Sequence, residues 1–368
     1  MFTKTAFAIY DPTSIPNNNV GIHILFPTEL SAAAKLVNSS GGDWGYVTIP
    51  IQQTDMDLAK WQTFMDNCGK YHLIPIIRLA TTGDYFNQSS WEVPNNYDVL
   101  DFANFLNSLN WPTKNRYVVI YNEPNNGDEW GGTPDPAGYA QILDYAVRVF
   151  KQRSSDFFIL SAGLDNAAAN VNGKSVNEYD FMREMNYAVP GVFGEIDGIA
   201  SHSYPNPGFS QPPLQYGYEG VSSFRYEDNL AESLGGKTLP VFITETGWSS
   251  DKIPESVQAV YYNDAFSNIW DDKNVIAVTP FLLNAGSGPF AQFSFIKSGI
   301  DTTDIYKAVF SLKKIKGEPQ INKYQTTQNT AVIKEVLPVK SFNTNGRTNY
   351  TATVSRAGVL FFKWLLNF

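Results

Sequence analysis

Two glutamates stand where an apolar run breaks off into polar residues. Glu123 lies in Ile120-Tyr121-Asn122-Glu123-Pro124-Asn125, and Glu245 in Ile243-Thr244-Glu245-Thr246-Gly247-Trp248. A carboxylate at the end of an apolar segment is costly unless it has a partner or a use. Cleavage of a glycosidic bond is one such use. One carboxylic acid protonates the leaving oxygen while a second carboxylate attacks the anomeric carbon or activates water. The bland alternative is two ion-paired residues on a rim. Arg78 adds a third charge inside an apolar run, Ile77-Arg78-Leu79-Ala80. A lone arginine there must find an anion, and either Glu245 or a structural ion pair answers that need. His202 and Tyr204 follow in Ser201-His202-Ser203-Tyr204-Pro205, two residues apart and so on one face of a strand.

Such groups must be brought together by the elements that carry them. Short Val/Ile-rich runs alternate with segments of helical periodicity along the chain. The runs are 21–26, 44–51, 73–80, 117–122, 157–163, 196–203, 240–246 and 275–283. The helical segments that follow them are 29–39, 55–71, 96–109, 136–152, 176–187, 224–234, 255–270 and 304–314. Eight strand–helix units are what an α/β barrel of the (β/α)8 TIM type requires. An open doubly wound sheet is the competing arrangement. In a barrel the catalytic groups sit at the C-terminal ends of the strands. Glu123 ends strand four and Glu245 ends strand seven, so their tips can face each other across the mouth. His23 on strand one can reach the same mouth. Asp55 and Asp135, the latter followed by Pro136, are the expected caps of the second and fourth helices.

The barrel pattern, residues 1–317, gives way at Gly317 to a short β-rich C-terminal extension, 318–368, which reads either as strands packed on the barrel or as part of a truncated accessory domain. Its last stretch, Ala357–Phe368, is apolar but too short to span a bilayer. Any membrane association would have to run through that end.

Asn122-Glu123-Pro124 after strand four, with Thr244-Glu245-Thr246-Gly247-Trp248 on strand seven, resembles glycoside hydrolase clan A. The resemblance covers roughly residues 20–317. It implies a retaining TIM-barrel glycosidase with Glu123 as acid/base and Glu245 as nucleophile. It further implies that Asn122 bonds the sugar 2-hydroxyl and that Tyr204 bonds the nucleophile. His202 would support the acid/base or bind sugar. The clan's arginine near the nucleophile usually lies on strand two, whereas Arg78 lies on strand three. The clan's strand-eight tryptophan is missing from Thr279-Pro280-Phe281-Leu282-Leu283-Asn284, leaving Phe281 or Asn284 to stand in. Trp248 is a candidate sugar-stacking wall. Trp44, Trp91 and Trp130 are candidates for distal subsites or for simple packing.

Composition narrows the partners. Of the 368 residues, 43% are hydrophobic and 17% charged, which permits a large core. Aromatics reach 14%, which suits sugar stacking as well as core packing. A net charge of −9 argues against nucleic acid. No metal-spaced Cys/His cluster, phosphate loop or dinucleotide fingerprint is present, so neither metal nor organic cofactor is expected. Cys68 is alone and reads as an inert buried thiol. Met1-Phe2-Thr3-Lys4 carries no signal-peptide pattern; an extracellular or cell-surface location is expected, with a cytoplasmic one as the alternative. Long loops at 81–95 and 205–221 point to a cleft for an oligo- or polysaccharide, served by a monomer. The Glu-Thr-Gly-Trp form resembles β-1,3-glucanases of the clan, and Asn-Glu-Pro its cellulases, mannanases and xylosidases. The expected activity is hydrolysis of a β-linked glycan, endo-β-glucanase-like. The competing reading is a non-catalytic carbohydrate-binding barrel.

Overall fold

A computed structural model describes residues 9–82, 91–286, 288–297 and 301–322. Eight parallel strands form the centre. β1 (Gly21–His23), β2 (Gly45–Gln52), β3 (Leu73–Ala80), β4 (Arg116–Val119) and β5 (Phe157–Leu160) pair in order. β6 (Ile199–His202), β7 (Val241–Glu245) and β8 (Val275–Val278) form a second run. Parallel bridges Leu160–Gly198 and Val20–Val278 join β5 to β6 and β8 to β1, which closes the ring. The architecture is a (β/α)8 TIM barrel.

The strands alternate as a barrel demands. Tyr46, Ile74, Ile76, Tyr117, Val119, Phe158, Leu160, Ala200 and Phe242 pack together in one buried cluster inside the ring. Their neighbours in sequence, such as Val47, Ile77, Val118, Ile159 and Ile243, join a larger cluster under the helices. Most strand positions on both sides are therefore apolar, which is why the strands read as largely hydrophobic runs.

The helices are α1 (Leu30–Val37), α2 (Leu58–Tyr71), α3 (Asn96–Ser108), α4 (Pro136–Arg153), α5 (Glu178–Ala188), the one-turn α6 (Val192–Glu195), α7 (Phe224–Gly235), α8 (Glu255–Asp264) and α9 (Asp304–Ser311). Asp135 caps α4 as expected, accepting from the Gly138 amide. The cap of α2 is Asp57 rather than Asp55. The helix starts later than the periodicity implied, because Gln53–Asp55 forms its own 3-10 turn and the Asp55 carboxylate pairs with Lys60. Strands β4 and β8 are shorter than their apolar runs, since the chain leaves the ladder to build the mouth. The peptides before Pro207 and Leu282 are cis. Cys68 is fully buried, and burial pushes its thiol well up.

The barrel belongs to the first of two units into which the chain divides, Met1–Tyr324. Glu318, Gln320 and Asn322 hydrogen-bond to Pro16, Lys114 and Pro112 near the N-terminal ends of the strands. The rest of the expected β-rich extension, from residue 323 on, lies outside the described residues. Among the described residues no helix is long and apolar enough to cross a membrane.

Two buried contacts brace the strands that carry the mouth. The Tyr139 hydroxyl on α4 donates to the Ile120 carbonyl at 3.1 Å and accepts from the Ala162 amide at 2.6 Å, just past the ends of β4 and β5. Behind β6, Glu227 on α7 accepts from Ser201 Oγ at 2.8 Å and Ser223 Oγ at 3.1 Å. Burial pushes Glu227 up to about 7, and it raises neighbouring Glu178 as well.

Tyr139→Phe leaves both backbone groups without this partner. It should lower unfolding free energy by about 1–3 kcal/mol at unchanged urea slope, and an unmoved urea midpoint would refute the brace. Glu227 binds its proton more tightly folded than unfolded, so its contribution to stability should decline as pH rises from its ordinary 4.5 towards 7. Glu227→Gln keeps an acceptor without the charge. It should gain on wild type between pH 5 and pH 8 by up to about 3 kcal/mol in urea unfolding, and parallel pH curves would refute the assignment.

Candidate active site

The two strand tips reach the mouth by departing from regular geometry. On β7, alternation from inward-facing Phe242 would turn Glu245 outward. The ladder slips there instead: Ser201 pairs with Ile243, but His202 pairs with Glu245, leaving Thr244 as an extra residue. Such an irregularity re-aims the side chain that follows it. Beyond β4, Tyr121 (φ 67°) and Glu123 (φ 35°) adopt left-handed backbone, a strained choice for residues other than glycine. The Glu123 amide donates to the Gly163 carbonyl at 3.1 Å, which holds the turn against the end of β5.

Glu245 is 7% exposed and engaged on both oxygens. Arg78 Nη1 donates to Oε1 at 3.0 Å, and Tyr204 Oη donates to Oε2 at 3.0 Å. His23 Nε2 stands 3.6 Å from Oε1, and His202 Nδ1 stands 4.0 Å from Oε2. Burial alone would raise this carboxyl, but the charges of His202 and Arg78 and the Tyr204 hydrogen bond outweigh it and hold the group below its usual range. His23 takes little part as a charge, since burial depresses it to about 3 and keeps it neutral.

Glu123 sits in the opposite environment. Its Oε1 is 2.7 Å from His202 Nδ1. Burial raises its carboxyl. The contact with His202 opposes the shift, the charges of Asp165 and Glu245 add to it, and the net direction is up. Burial pulls His202 down, yet the two glutamates raise it overall. The ring lies against Gly163, where an added Cβ would come within 2.1 Å of it, so only glycine leaves room for the imidazole.

One ligand atom each of Glu123, His202 and Glu245 lie within 4.8 Å of one another. That spacing also meets the distances of a metal site. These atoms are already committed, however: both Glu245 oxygens to Arg78 and Tyr204, and Nδ1 of His202 to Glu123. A guanidinium already supplies the positive charge that a metal would bring. The arrangement fits a carboxylate pair with opposed proton affinities, the requirement for an acid and a nucleophile in one site.

Arg78, Asn122, Glu123, His202, Tyr204 and Glu245 thus converge, with His23 beside them. Asn122 Oδ1 accepts from Arg78 Nη1, and Asn122 Nδ2 donates to Glu129 at 3.3 Å. Two expectations, Trp248 and Phe281, change. Trp248 is fully buried behind the mouth, packed against Tyr262 and Trp270, with its indole N–H donated to the Gln211 carbonyl, so it offers no ring to a sugar. Asn284 is half-buried and its Oδ1 accepts from the Gly286 amide, which leaves its role as a sugar ligand an expectation. Phe281 is 7% exposed, with its ring edge-on to His23 and Phe290; it is a wall behind the histidine more than a stacking platform. Trp44 stacks on His72 at the start of β2, and Trp91 and Trp130 are buried, so packing accounts for all three. Of the loop 81–95, residues 83–90 lie outside the described residues. The loop 205–221 shows Tyr216 and Tyr218 about 60% exposed (62% and 60%). Glu129 escaped notice in the sequence: it stands in an Asp/Glu-bearing loop, Gly127-Asp128-Glu129, with no apolar run to mark it.

No protein-family model matches the chain, and no curated protein matches it. Solved structures do. A family 39 glycoside hydrolase from Bacteroides cellulosilyticus WH2 aligns with a TM-score of 0.58 at 18% identity over 83% of this chain. The chain spans only 65% of that protein's length. A family 39 β-xylosidase from Caulobacter crescentus aligns at 0.58 and 15% identity, over 80% of this chain and 71% of that one. A family 128 endo-β-1,3-glucanase from Sorangium cellulosum aligns at 0.53 and 12% identity, over 80% and 98%. These likenesses show the fold: the chain is built as the same TIM barrel as glycoside hydrolases of families 39, 5 and 128, which belong to clan A.

Proposed function

We propose that the protein is a retaining glycoside hydrolase that cleaves β-linked oligo- or polysaccharides by double displacement. The observation that carries this reading is the pair Glu123 and Glu245, close together at the barrel mouth and pushed in opposite directions by their surroundings. Retaining enzymes hold their two carboxyl groups about 5–5.5 Å apart, without room for an intervening water.

In the first step Glu245, ionised by its contacts with Arg78 and Tyr204, attacks the anomeric carbon. The bond to the leaving oxygen breaks as Glu123 transfers its proton to that oxygen. Glu245 is now an ester and has lost its charge. The negative neighbour that helped keep Glu123 protonated is gone, and His202 Nδ1 stands ready to donate to the new carboxylate. In the second step Glu123 takes a proton from water, whose oxygen attacks the anomeric carbon and frees Glu245. Anomeric configuration is inverted twice and so retained. An extended glycan, rather than a single sugar, is the substrate class that the long mouth loops favour. The endo-β-1,3-glucanase among the similar structures supports a β-glucan. A protein acting on such a polymer works outside the cell or at its surface.

The test is hydrolysis of soluble β-1,3- and β-1,4-glucans, mannan, xylan and aryl β-glycosides by wild type, Glu123→Ala and Glu245→Ala. Wild type should turn over at least one of them. Each variant should lose about 10²–10⁴-fold or more in kcat. Azide added to Glu123→Ala should restore turnover of an aryl glycoside and yield the β-glycosyl azide. Hydrolysis that persists in Glu245→Ala would overturn the mechanism.

A further inference from the structure

The Asn122 amide is the least explained group at the mouth, and its partners determine its orientation. A guanidinium only donates, so the amide atom facing Arg78 must be the oxygen. Arg78 Nη1 donates both to that oxygen and to Glu245 Oε1. The amide edge is therefore tied to the flank of the nucleophile. With the oxygen facing Arg78, the atom facing Glu129 is the nitrogen, and Nδ2 donates to Glu129 Oε2 at 3.3 Å. Oxygen and one N–H are now held at two ends of a planar group. The plane is held at both ends, and among the described residues one N–H has no hydrogen-bond partner.

Glu129 is itself well anchored. It closes the 3-10 turn Gly127–Glu129, and its amide donates to the Asn126 carbonyl at 3.0 Å. The Asn126 amide in turn donates to the carbonyl of Glu123 at 2.8 Å. Asp128 in the same turn accepts from the Trp91 amide at 2.8 Å. The carboxylate that holds Asn122 is thus built on the backbone of the acid/base turn and moves with it.

We propose that Glu129 is a positioning residue: it holds the Asn122 amide in the orientation that leaves one N–H for the sugar 2-hydroxyl, the contact that the clan A resemblance implies for Asn122. The step rests on the glycosidase reading above. Arg78 ties the Asn122 amide to the flank of Glu245, and the contact with the 2-hydroxyl itself is what the clan A resemblance implies. Hydrogen bonds to that hydroxyl strengthen in the transition state, so a well-aimed donor accelerates the reaction more than it tightens binding. Glu129 touches neither the sugar nor the reacting atoms and acts only through Asn122.

The experiment compares wild type, Glu129→Leu, Glu129→Asp and Glu129→Gln on an aryl β-glycoside that wild type hydrolyses and on its 2-deoxy counterpart. Glu129→Leu removes the acceptor, and Glu129→Asp withdraws it by one methylene. Both should lose about tenfold or more in kcat/KM on the parent glycoside, mainly through kcat. On the 2-deoxy glycoside, where the hydroxyl is missing, the loss should shrink to about twofold. Glu129→Gln keeps a carbonyl oxygen for Asn122 and should retain most activity on both. Equal losses on the two substrates, in whichever of the Leu and Asp variants folds, would overturn the role, since general damage to the site does not read the hydroxyl. Failure of wild type to hydrolyse any glycoside would overturn the glycosidase reading, and this inference with it. Wild-type turnover with equal losses would overturn this inference alone.

Discussion

A single negative charge, placed almost out of water at the mouth of the ring, sets the terms for everything around it. Glu245 would take up a proton if burial acted alone. It stays ionised because Arg78 and Tyr204 each give it a hydrogen bond near 3.0 Å and His202 stands within reach of the same carboxylate. Those partners come from three other places in the chain: β3, the end of β6 and the segment just beyond it. None could be removed without leaving a charge or a polar atom unsatisfied in a dry setting, a penalty larger than the bonds themselves contribute. The mouth is therefore mutually dependent. The apolar interior below it, from Tyr46 to Phe242, supplies the rigid floor that keeps these distances short.

The same charge explains the contrast with Glu123. Two carboxyl groups this close cannot both ionise freely, and the one with fewer cationic or donor partners takes the proton. Glu123 has one partner, His202, whose own proton affinity is raised by both glutamates. The imidazole thus couples the two sites and responds whenever either changes charge. Arg78 couples them from the other side, through Asn122 to the turn that carries Glu123 and Glu129.

Regular barrel geometry would not have assembled this set. Strict alternation along β7 would bury Glu245 under the helices, and the slip at Thr244 brings it back to the mouth. Left-handed backbone at Tyr121 and Glu123 does the equivalent work after β4. Strain of this kind costs about 1–3 kcal/mol per residue and persists only where surrounding contacts over-determine it. The Glu123 amide bonded to Gly163, and the Tyr139 hydroxyl bridging the ends of β4 and β5, are such contacts.

By itself the sequence determined the barrel and the two glutamates. Parallel strands buried on both sides must be written as apolar runs, and a charge that ends such a run is conspicuous. Leu73–Ala80 can be read to the residue for that reason, and Arg78 stands out within it. Tyr204 and His202 were legible because period-two spacing puts them on one face. What the sequence could not determine was anything set by contacts between distant segments. Trp248 follows the nucleophile directly, yet the turn at Gly247 (φ 152°) sends it into a nest of Tyr262 and Trp270. Glu129 has no local signature, because its role comes from an amide seven positions away that Arg78 has already oriented. Side-chain direction beyond the end of a strand depends on bulges and left-handed residues. These are stabilised by partners far off in the chain, and only the tertiary structure decides them.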